Sequence, residues 1–162
     1  MIGREGVGRL LWDAHNVSSR ERVIVVDCRG FRDPTRGRWH VGVHPDNMAA
    51  FFAHPDFDPW LANVAGDFGE AVRKGSTHIV FVVYCRKGVH RSISGGSVLF
   101  HCVRMDSRVL LASTQHTSAL LWKHDHCGEC ARCRAPSSRC QAILRQAAER
   151  WLELRASPAG GW

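Results

Sequence analysis

The chain has 162 residues, a length that suits one domain or one domain with a small appendage. Apolar residues make up 44% and charged residues 23%, which excludes a wholly disordered, collagen-like or coiled-coil protein. The longest apolar run, Ile79–Tyr84 followed by Cys85, is far too short for a membrane-spanning helix. Because the first ten residues also lack the apolar stretch of a signal peptide, we expect an intracellular protein, in the cytoplasm.

The chain is basic. It has 22 Lys and Arg against 15 Asp and Glu, a net charge of +7, and 19 of the 22 cations are Arg. The guanidinium group binds phosphate through a flat fork of N–H donors, so this charge suits nucleic acid or phosphorylated metabolites. The alternative is that the excess of Arg over Lys reflects codon composition.

The first half of the chain predicts one strand and two helices. Val23–Cys28 is a continuous β-branched run typical of a buried strand. A long basic loop, Arg29–His44, follows it. Pro45 can begin a helix that extends to Ala53, and Pro59–Lys74 has apolar residues at helical spacing.

The second half repeats the alternation of strand and helix. His78–Tyr84 predicts a second buried strand, Arg91–Met105 a helix, Val109–Ser113 a short third strand and Ala142–Leu154 a final helix. This alternation indicates an α/β fold with a small parallel-stranded sheet and flanking helices. We expect an N-terminal extension over residues 1–20, the α/β domain over 21–122, and a Cys/His-rich segment with a C-terminal helix over 123–162.

The loop between the second strand and the next helix has the highest concentration of reactive and charged side chains in the sequence. Backbone N–H groups at the beginning of a helix form an anion site, and cationic side chains here add formal charge to it. Gly88 allows a sharp turn, and Ser92 can cap the helix or bind an anion. The residues expected at this site are Cys85, Arg86, Lys87, Gly88, His90, Arg91 and Ser92.

Cys85 and Arg91 also match the C-x5-R pattern of cysteine-dependent phosphatases. There a thiolate attacks phosphorus and the Arg holds the equatorial oxygens. The spacing alone is weak, because Cys102/Arg108 and Cys133/Arg139 match it as well. Only the first pair lies between a predicted strand and a predicted helix. The alternative for Cys85 is a small buried residue at the end of a strand.

Three segments resemble the C-terminal domain family of the RNase adapter protein RapZ. They are VVDCRGFRDP at Val25–Pro34, GVHPDNMAAFF at Gly42–Phe52 and YCRKGVHRS at Tyr84–Ser92, and the resemblance covers about residues 22–122. It implies an α/β domain that binds small RNA and senses an amino-sugar phosphate. The positions that would line the anion site are Asp27, Arg29, Cys85, Gly88, His90, Arg91, Ser92 and His116.

The chain departs from that family in three places. The family's Thr-Gly pair after the Cys is Arg86-Lys87 here. The chain has no G-x-x-x-x-G-K-[ST] phosphate loop, so we expect no nucleotide cofactor. The family's basic, RNA-contacting end is replaced by a Cys-rich segment, which weakens the case for RNA as a partner.

The Cys-rich segment predicts a metal site. Four of the seven cysteines fall within Cys127–Cys140, and C-x2-C spacing lets one turn of chain hold one metal ion with two thiolates. We expect structural zinc on Cys127, Cys130, Cys133 and Cys140, with His126 or His116 as an alternative ligand. An iron–sulfur cluster, or free or disulfide-bonded cysteines, are the other interpretations.

These observations favour a domain that binds a phosphorylated metabolite of the amino-sugar phosphate type, or RNA phosphates, at Cys85–Ser92. The alternative is a cysteine-dependent phosphatase that uses Cys85, Arg91 and one aspartic acid: Asp33, Asp56 or Asp58. A third reading is an RNA adapter organised around zinc.

Overall fold

The computed structural model describes residues 20–33, 39–117, 127, 130–134 and 137–156. Within these residues the chain forms two strands and five helices. The predicted N-terminal extension, apart from Arg20, and His126 lie outside the described residues.

Strands β1 (Glu21–Asp27) and β2 (His78–Tyr84) form a parallel two-stranded sheet. The register pairs Glu21 with His78 at one end and Asp27 with Tyr84 at the other. Helices α1 (Pro45–Phe52) and α2 (Phe57–Arg73) connect the strands, as a parallel pair requires. This arrangement confirms the predicted α/β class with a small parallel sheet.

Three further helices follow β2. Helix α3 (Arg91–Met105) begins after a six-residue loop, α4 (Ala131–Arg134) is a single turn in the Cys-rich segment, and α5 (Ser138–Ala156) is the longest. Helix α5 begins before the predicted start at Ala142, so Cys140 is helical.

One face of the sheet packs on the helices. Ile24 and Val26 of β1 are buried there, and their β2 partners Phe81 and Val83 pack against the same core. The core is rich in aromatic rings from the helices: Phe31, Phe51, Phe57, Trp60, Phe68 and Trp151.

Two sequence-based predictions are wrong. No residue of β2 is buried, although its apolar run predicted a buried strand. In the described part of the chain β2 pairs with β1 alone, and even Ile79, Phe81 and Val83, which pack against the core, stay partly exposed. Val109–Ser113 is not a strand. Leu110 and Leu111 are 101% and 88% exposed, because this segment makes no sheet pairing that would bury alternate side chains.

None of the helices in the described ranges combines the length and apolar character needed to cross a bilayer.

Candidate anion-binding loop and metal centre

The two strands end at the same edge of the sheet, and this places their following loops side by side. The backbone N–H of Cys28 donates to the carbonyl of Tyr84 at 2.9 Å, which continues the strand pairing by one residue. Cys28 and Cys85 therefore leave the sheet as neighbours. Ligands of α/β folds bind at the carboxyl ends of strands, which is where this edge lies.

The Cys85–Ser92 loop closes around the sulfur of Cys85. The N–H of Gly88 donates to Sγ at 3.2 Å, and the Ser92 Oγ lies 3.3 Å from Sγ. Gly88 has a φ of 68°, the left-handed conformation that lets the chain fold back over the thiol without a Cβ clash. The Gly88 N–H and the Ser92 hydroxyl thus converge on one central atom.

The electrostatics of this arrangement favour negative charge at its centre. Burial alone would raise the pKa of the Cys85 thiol, but hydrogen bonds from the Ser92 hydroxyl and the backbone N–H groups of Ser92, Gly88 and Lys87 lower it below its ordinary value. By contrast, burial raises the pKa of the neighbouring Cys28 thiol strongly. The thiol inside the loop is therefore the more acidic of two adjacent cysteines.

The side chains predicted to bind an anion in this loop divide into an exposed and a buried group. Arg86 and Lys87 are exposed at the outer side of the loop, where an approaching anion would meet them. His90, Arg91 and Ser92 are buried where the loop enters helix α3. The outer pair places positive charge at the surface of the loop, and the inner three side chains are packed inside the protein.

Arg91 makes contacts that the sequence did not predict. Its Nη1 donates to the carbonyl oxygens of Arg29 (3.0 Å) and Phe31 (2.8 Å). Its Nε and Nη2 lie 3.0 and 3.2 Å from the carboxylate of Asp33. Arg91 thus ties the segment after β1 to the beginning of α3, and much of its hydrogen-bonding capacity is committed to the protein itself. This is the geometry of a positioning residue.

Asp27 and Arg29 form a two-pronged ion pair at the end of β1. The Arg29 Nε and Nη2 lie 3.0 and 2.7 Å from the carboxylate of Asp27, and the Arg29 N–H also donates to it. Although burial opposes ionisation, these bonds lower the pKa of Asp27. The Arg29 guanidinium also lies over the ring of Tyr84, 5.2 Å from its centroid. The pair therefore lies beside Tyr84, the residue that precedes the Cys85–Ser92 loop.

His116, the last residue predicted at the anion site, lies in the irregular segment 111–117. Burial lowers the pKa of its imidazole. It is not among the metal-cluster residues described next.

A second cluster joins the Cys-rich segment to the loop after β1. His40, Cys127, Cys130 and Cys133 place one ligand atom each within 4.8 Å of all the others, so the cluster could hold a metal ion. The Nδ1 of His40 is 3.6 Å from the Sγ of both Cys130 and Cys133. Tetrahedral zinc, with Zn–S near 2.3 Å and Zn–N near 2.0–2.1 Å, would place such atoms about 3.6 Å apart.

The thiols of this cluster need a cation to ionise together. Burial and the neighbouring thiols Cys130 and Cys127 raise the pKa of Cys133 to about 12. The pKa of Cys130 is lowered, because hydrogen bonds from Cys133 and Cys127 outweigh its desolvation. One thiolate therefore disfavours the next, and a divalent cation would remove that conflict.

Three of the four predicted metal ligands meet, and Cys140 does not join them. The buried Sγ of Cys140 lies 3.8 Å from the carbonyl of Val43, and Cys140 shares with Cys133 the lining of a cavity of about 160 Å³. Cys140 is one of the buried residues of helix α5 and lies outside the cluster. His40 takes the fourth position, so neither His116 nor Cys140 is the fourth member of the cluster.

His40 was not predicted as a ligand, because it lies ninety residues before Cys130 in a loop read only as basic. The signal that could have found it is the pair His40 and His44 within one loop, since imidazoles complete zinc sites that have too few thiolates. In the structure the two rings stack 4.0 Å apart.

Comparison of the chain with protein-family models, curated proteins and solved structures found no match.

Proposed function

We propose that the Cys85–Ser92 loop binds the phosphate group of a phosphorylated metabolite of the amino-sugar phosphate type. One observation carries this proposal: the Gly88 N–H and the Ser92 hydroxyl meet the half-buried Cys85 sulfur at 3.2 and 3.3 Å, an arrangement that lowers the pKa of the thiol. An environment that stabilises a thiolate also stabilises a phosphate oxygen near the same donors. The resemblance to the RapZ C-terminal domain family supports the same ligand class.

Charge and position support this assignment. The positive end of the helix dipole of α3, a fifteen-residue helix, points toward the loop. Arg86 and Lys87 are exposed beside it and add formal positive charge. These features are concentrated around a single loop, which fits one phosphate group better than the long basic stripe that a nucleic-acid backbone requires.

The proposal is tested by calorimetric titration of the protein with glucosamine 6-phosphate and, separately, with glucosamine. We expect binding that requires the phosphate group and weakens at least about tenfold in an Arg86→Ala/Lys87→Ala variant, since two charge-assisted contacts are lost. Equal affinity for the two sugars, or no binding of either, would contradict it. Binding of an RNA oligonucleotide with a steep salt dependence, and of neither sugar, would transfer the site to RNA phosphates.

A second candidate function is cysteine-dependent phosphatase activity, favoured by the acidity of the Cys85 thiol. The thiolate would attack phosphorus to form an S–P bond, the alcohol would leave with a proton from an acid, and water would then cleave the S–P bond. Of the three aspartic acids considered as the acid, Asp33 is the one in contact with the loop, through Arg91. The commitment of Arg91 to Asp33 and two carbonyls weighs against this candidate.

Hydrolysis of p-nitrophenyl phosphate separates the two functions. Turnover by the wild type that disappears in Cys85→Ser would establish the phosphatase. The binding function predicts no turnover in either protein.

We propose zinc as the metal of the His40–Cys127–Cys130–Cys133 cluster. One imidazole with three thiols is a set typical of structural zinc, and the 3.6 Å separations from His40 suit it. Apart from the C-x2-C spacing, the sequence has no redox motif that would favour an iron–sulfur cluster instead.

Elemental analysis of purified protein tests this assignment. We expect one zinc per chain in the wild type and its loss in a His40→Ala/Cys130→Ser double variant, with retention in Cys140→Ser. Loss of zinc in Cys140→Ser with retention in His40→Ala would restore Cys140 as the fourth ligand.

A further inference from the structure

We propose that metal binding at His40, Cys127, Cys130 and Cys133 controls the phosphate affinity of the Cys85–Ser92 loop. The inference rests on the proposed phosphate-binding function and concerns the regulation of that same site. The connection between the two sites is the segment Trp39–His44, which begins at the metal cluster and ends against the loop.

The first step joins the metal cluster to this segment. His40 forms an isolated parallel bridge with Cys127. The N–H of Cys127 donates to the carbonyl of Trp39, and the N–H of Val41 donates to the carbonyl of Cys127 at 3.3 Å. A metal ion on His40 and Cys127 would therefore fix both the side chains and the backbone of the bridge.

The second step joins the segment to the anion loop through Gly42. Its N–H donates to the carbonyl of Val89 at 2.9 Å, and its carbonyl accepts from the Ser94 hydroxyl at 2.9 Å. A Cβ at Gly42 would lie 2.1 Å from the His90 carbonyl oxygen, so only glycine allows this approach. Two residues after a metal ligand, the backbone thus rests directly on the loop.

The third step is a small apolar cluster separate from the main core. It contains Val41 of the segment, Val89 of the loop, Ile93 of α3 and the metal ligand Cys133, with Cys130 packed against them. Movement of the Cys-rich turn would therefore remove packing from the loop as well as its hydrogen bonds.

A bound metal would stabilise the contacts among the Cys-rich turn, the segment Trp39–His44 and the Cys85–Ser92 loop. Helix α4, which holds Cys133, is a single turn and cannot be stable in isolation. The contacts of the His40 Nδ1 with the two thiols, at 3.6 Å, are weak without an ion, because a thiol is a weak hydrogen-bonding group. A bound metal would hold these side chains through metal–ligand bonds of fixed geometry. The segment Trp39–His44, which contacts the Cys85–Ser92 loop, would then be held in place.

The test compares metal-loaded protein with protein from which the metal has been removed by a chelator. Two readouts are used: calorimetric affinity for inorganic phosphate, and hydrogen exchange of the amides in residues 85–92 followed by mass spectrometry. We expect metal removal to weaken phosphate binding about tenfold, within the usual range of coupling between sites, and to speed exchange in the loop. Exchange in β1 should stay unchanged, which reports that the domain remains folded.

Two variants locate the coupling. Gly42→Ala keeps all four ligands, so it should retain its metal yet show the same weakened phosphate binding and faster loop exchange. His78→Ala, which alters an exposed histidine at the opposite end of β2, should behave as the wild type in both readouts.

The outcomes separate this inference from the proposed function. Phosphate binding and loop exchange that are unchanged by metal removal would overturn the coupling and leave the phosphate site intact. No phosphate binding by either form, with loop exchange that still rises on metal removal, would overturn the phosphate function and keep the structural coupling. Loss of all exchange protection, β1 included, would overturn the inference in favour of a metal that the whole fold requires.

Discussion

Cys85 follows the last residue of β2 and Ser92 is the second residue of α3, and their Sγ and Oγ atoms lie 3.3 Å apart. The contact closes the loop between strand and helix over seven residues. It makes the thiol the focus of a set of hydrogen-bond donors, and from this the proposed affinity for phosphate follows.

Removal of the Ser92 hydroxyl tests this electrostatic account. Ser92→Ala should raise the pKa of the Cys85 thiol, because one of the donors that stabilise the thiolate is lost. The pH at which iodoacetamide alkylates Cys85 at half its maximal rate should move upward. Ser97→Ala, on the same helix but away from the loop, is the control and should leave that pH unchanged. An unshifted profile in Ser92→Ala would show that the hydroxyl does not affect the thiol.

The role of Arg91 predicts a loss of stability as well as of binding. Arg91→Ala removes the donor to the carbonyls of Arg29 and Phe31, and we expect the free energy of unfolding to fall by about 2 kcal/mol. Its partner Asp33 is 58% exposed, so Asp33→Ala should cost less than about 1 kcal/mol. Urea unfolding measures both. Equal, small effects would mean that Arg91 does not hold the segment after β1.

Much of the architecture was predictable because it depends on local patterns. The apolar runs before Asp27 and Cys85 predicted the two strands. Apolar residues at helical spacing, together with Pro45 and Gly75, predicted the helices between them. The prediction of a third strand was wrong because the short run at Val109 has no strand to pair with in the described part of the chain, and no local pattern reveals that.

The sites were predictable to different degrees. Backbone donors around Cys85 follow from a strand, a glycine and a helix in sequence, so the loop was visible in advance. The ligand His40 and the partner Asp33 of Arg91 were not, because each meets its partner only through folding across more than fifty residues.

Neighbouring glycines on α3 offer a test of the packing. A Cβ at Gly95 would lie 3.0 Å from the Cys28 Sγ and 3.3 Å from Phe51, whereas a Cβ at Gly96 would meet nothing within 4 Å. Gly95→Ala should therefore destabilise the protein by about 1–3 kcal/mol through overpacking. Gly96→Ala should stabilise it by up to about 1 kcal/mol, since alanine favours the helix. Thermal unfolding that changes in the same direction for both variants would contradict the close approach of α3 to Cys28 and Phe51.

A buried ion pair predicts a pH-dependent contribution to stability. Asp106 and Arg155 are both buried, with Arg155 Nη1 3.7 Å from the carboxylate, and Arg108 binds the same carboxylate. Burial opposes ionisation of Asp106, but its bonds to Arg108 and the charge of Arg155 lower its pKa. The stabilisation is thus fully present above the ordinary pKa of Asp, about 3.9, and is lost as the pH falls through the lowered value.

Asp106→Asn tests this contribution by urea unfolding at several pH values. We expect a loss of about 3 kcal/mol at pH 7, where an uncompensated buried guanidinium would remain. The difference from the wild type should shrink once the wild-type carboxyl is protonated in acid. Asp56→Asn, at an exposed position, should change stability by less than about 0.5 kcal/mol. A difference between Asp106→Asn and the wild type that is constant with pH would exclude the carboxylate charge as its cause.

The most direct measurement is the titration of ¹⁵N-labelled, zinc-loaded protein with inorganic phosphate, followed by the backbone amide resonances. The account predicts saturable shifts that are largest for Lys87, Gly88 and Ser92, the amides directed at the Cys85 sulfur. Shifts that are absent from these three amides, or that are spread over the basic surface without saturation, would contradict a phosphate site in the loop.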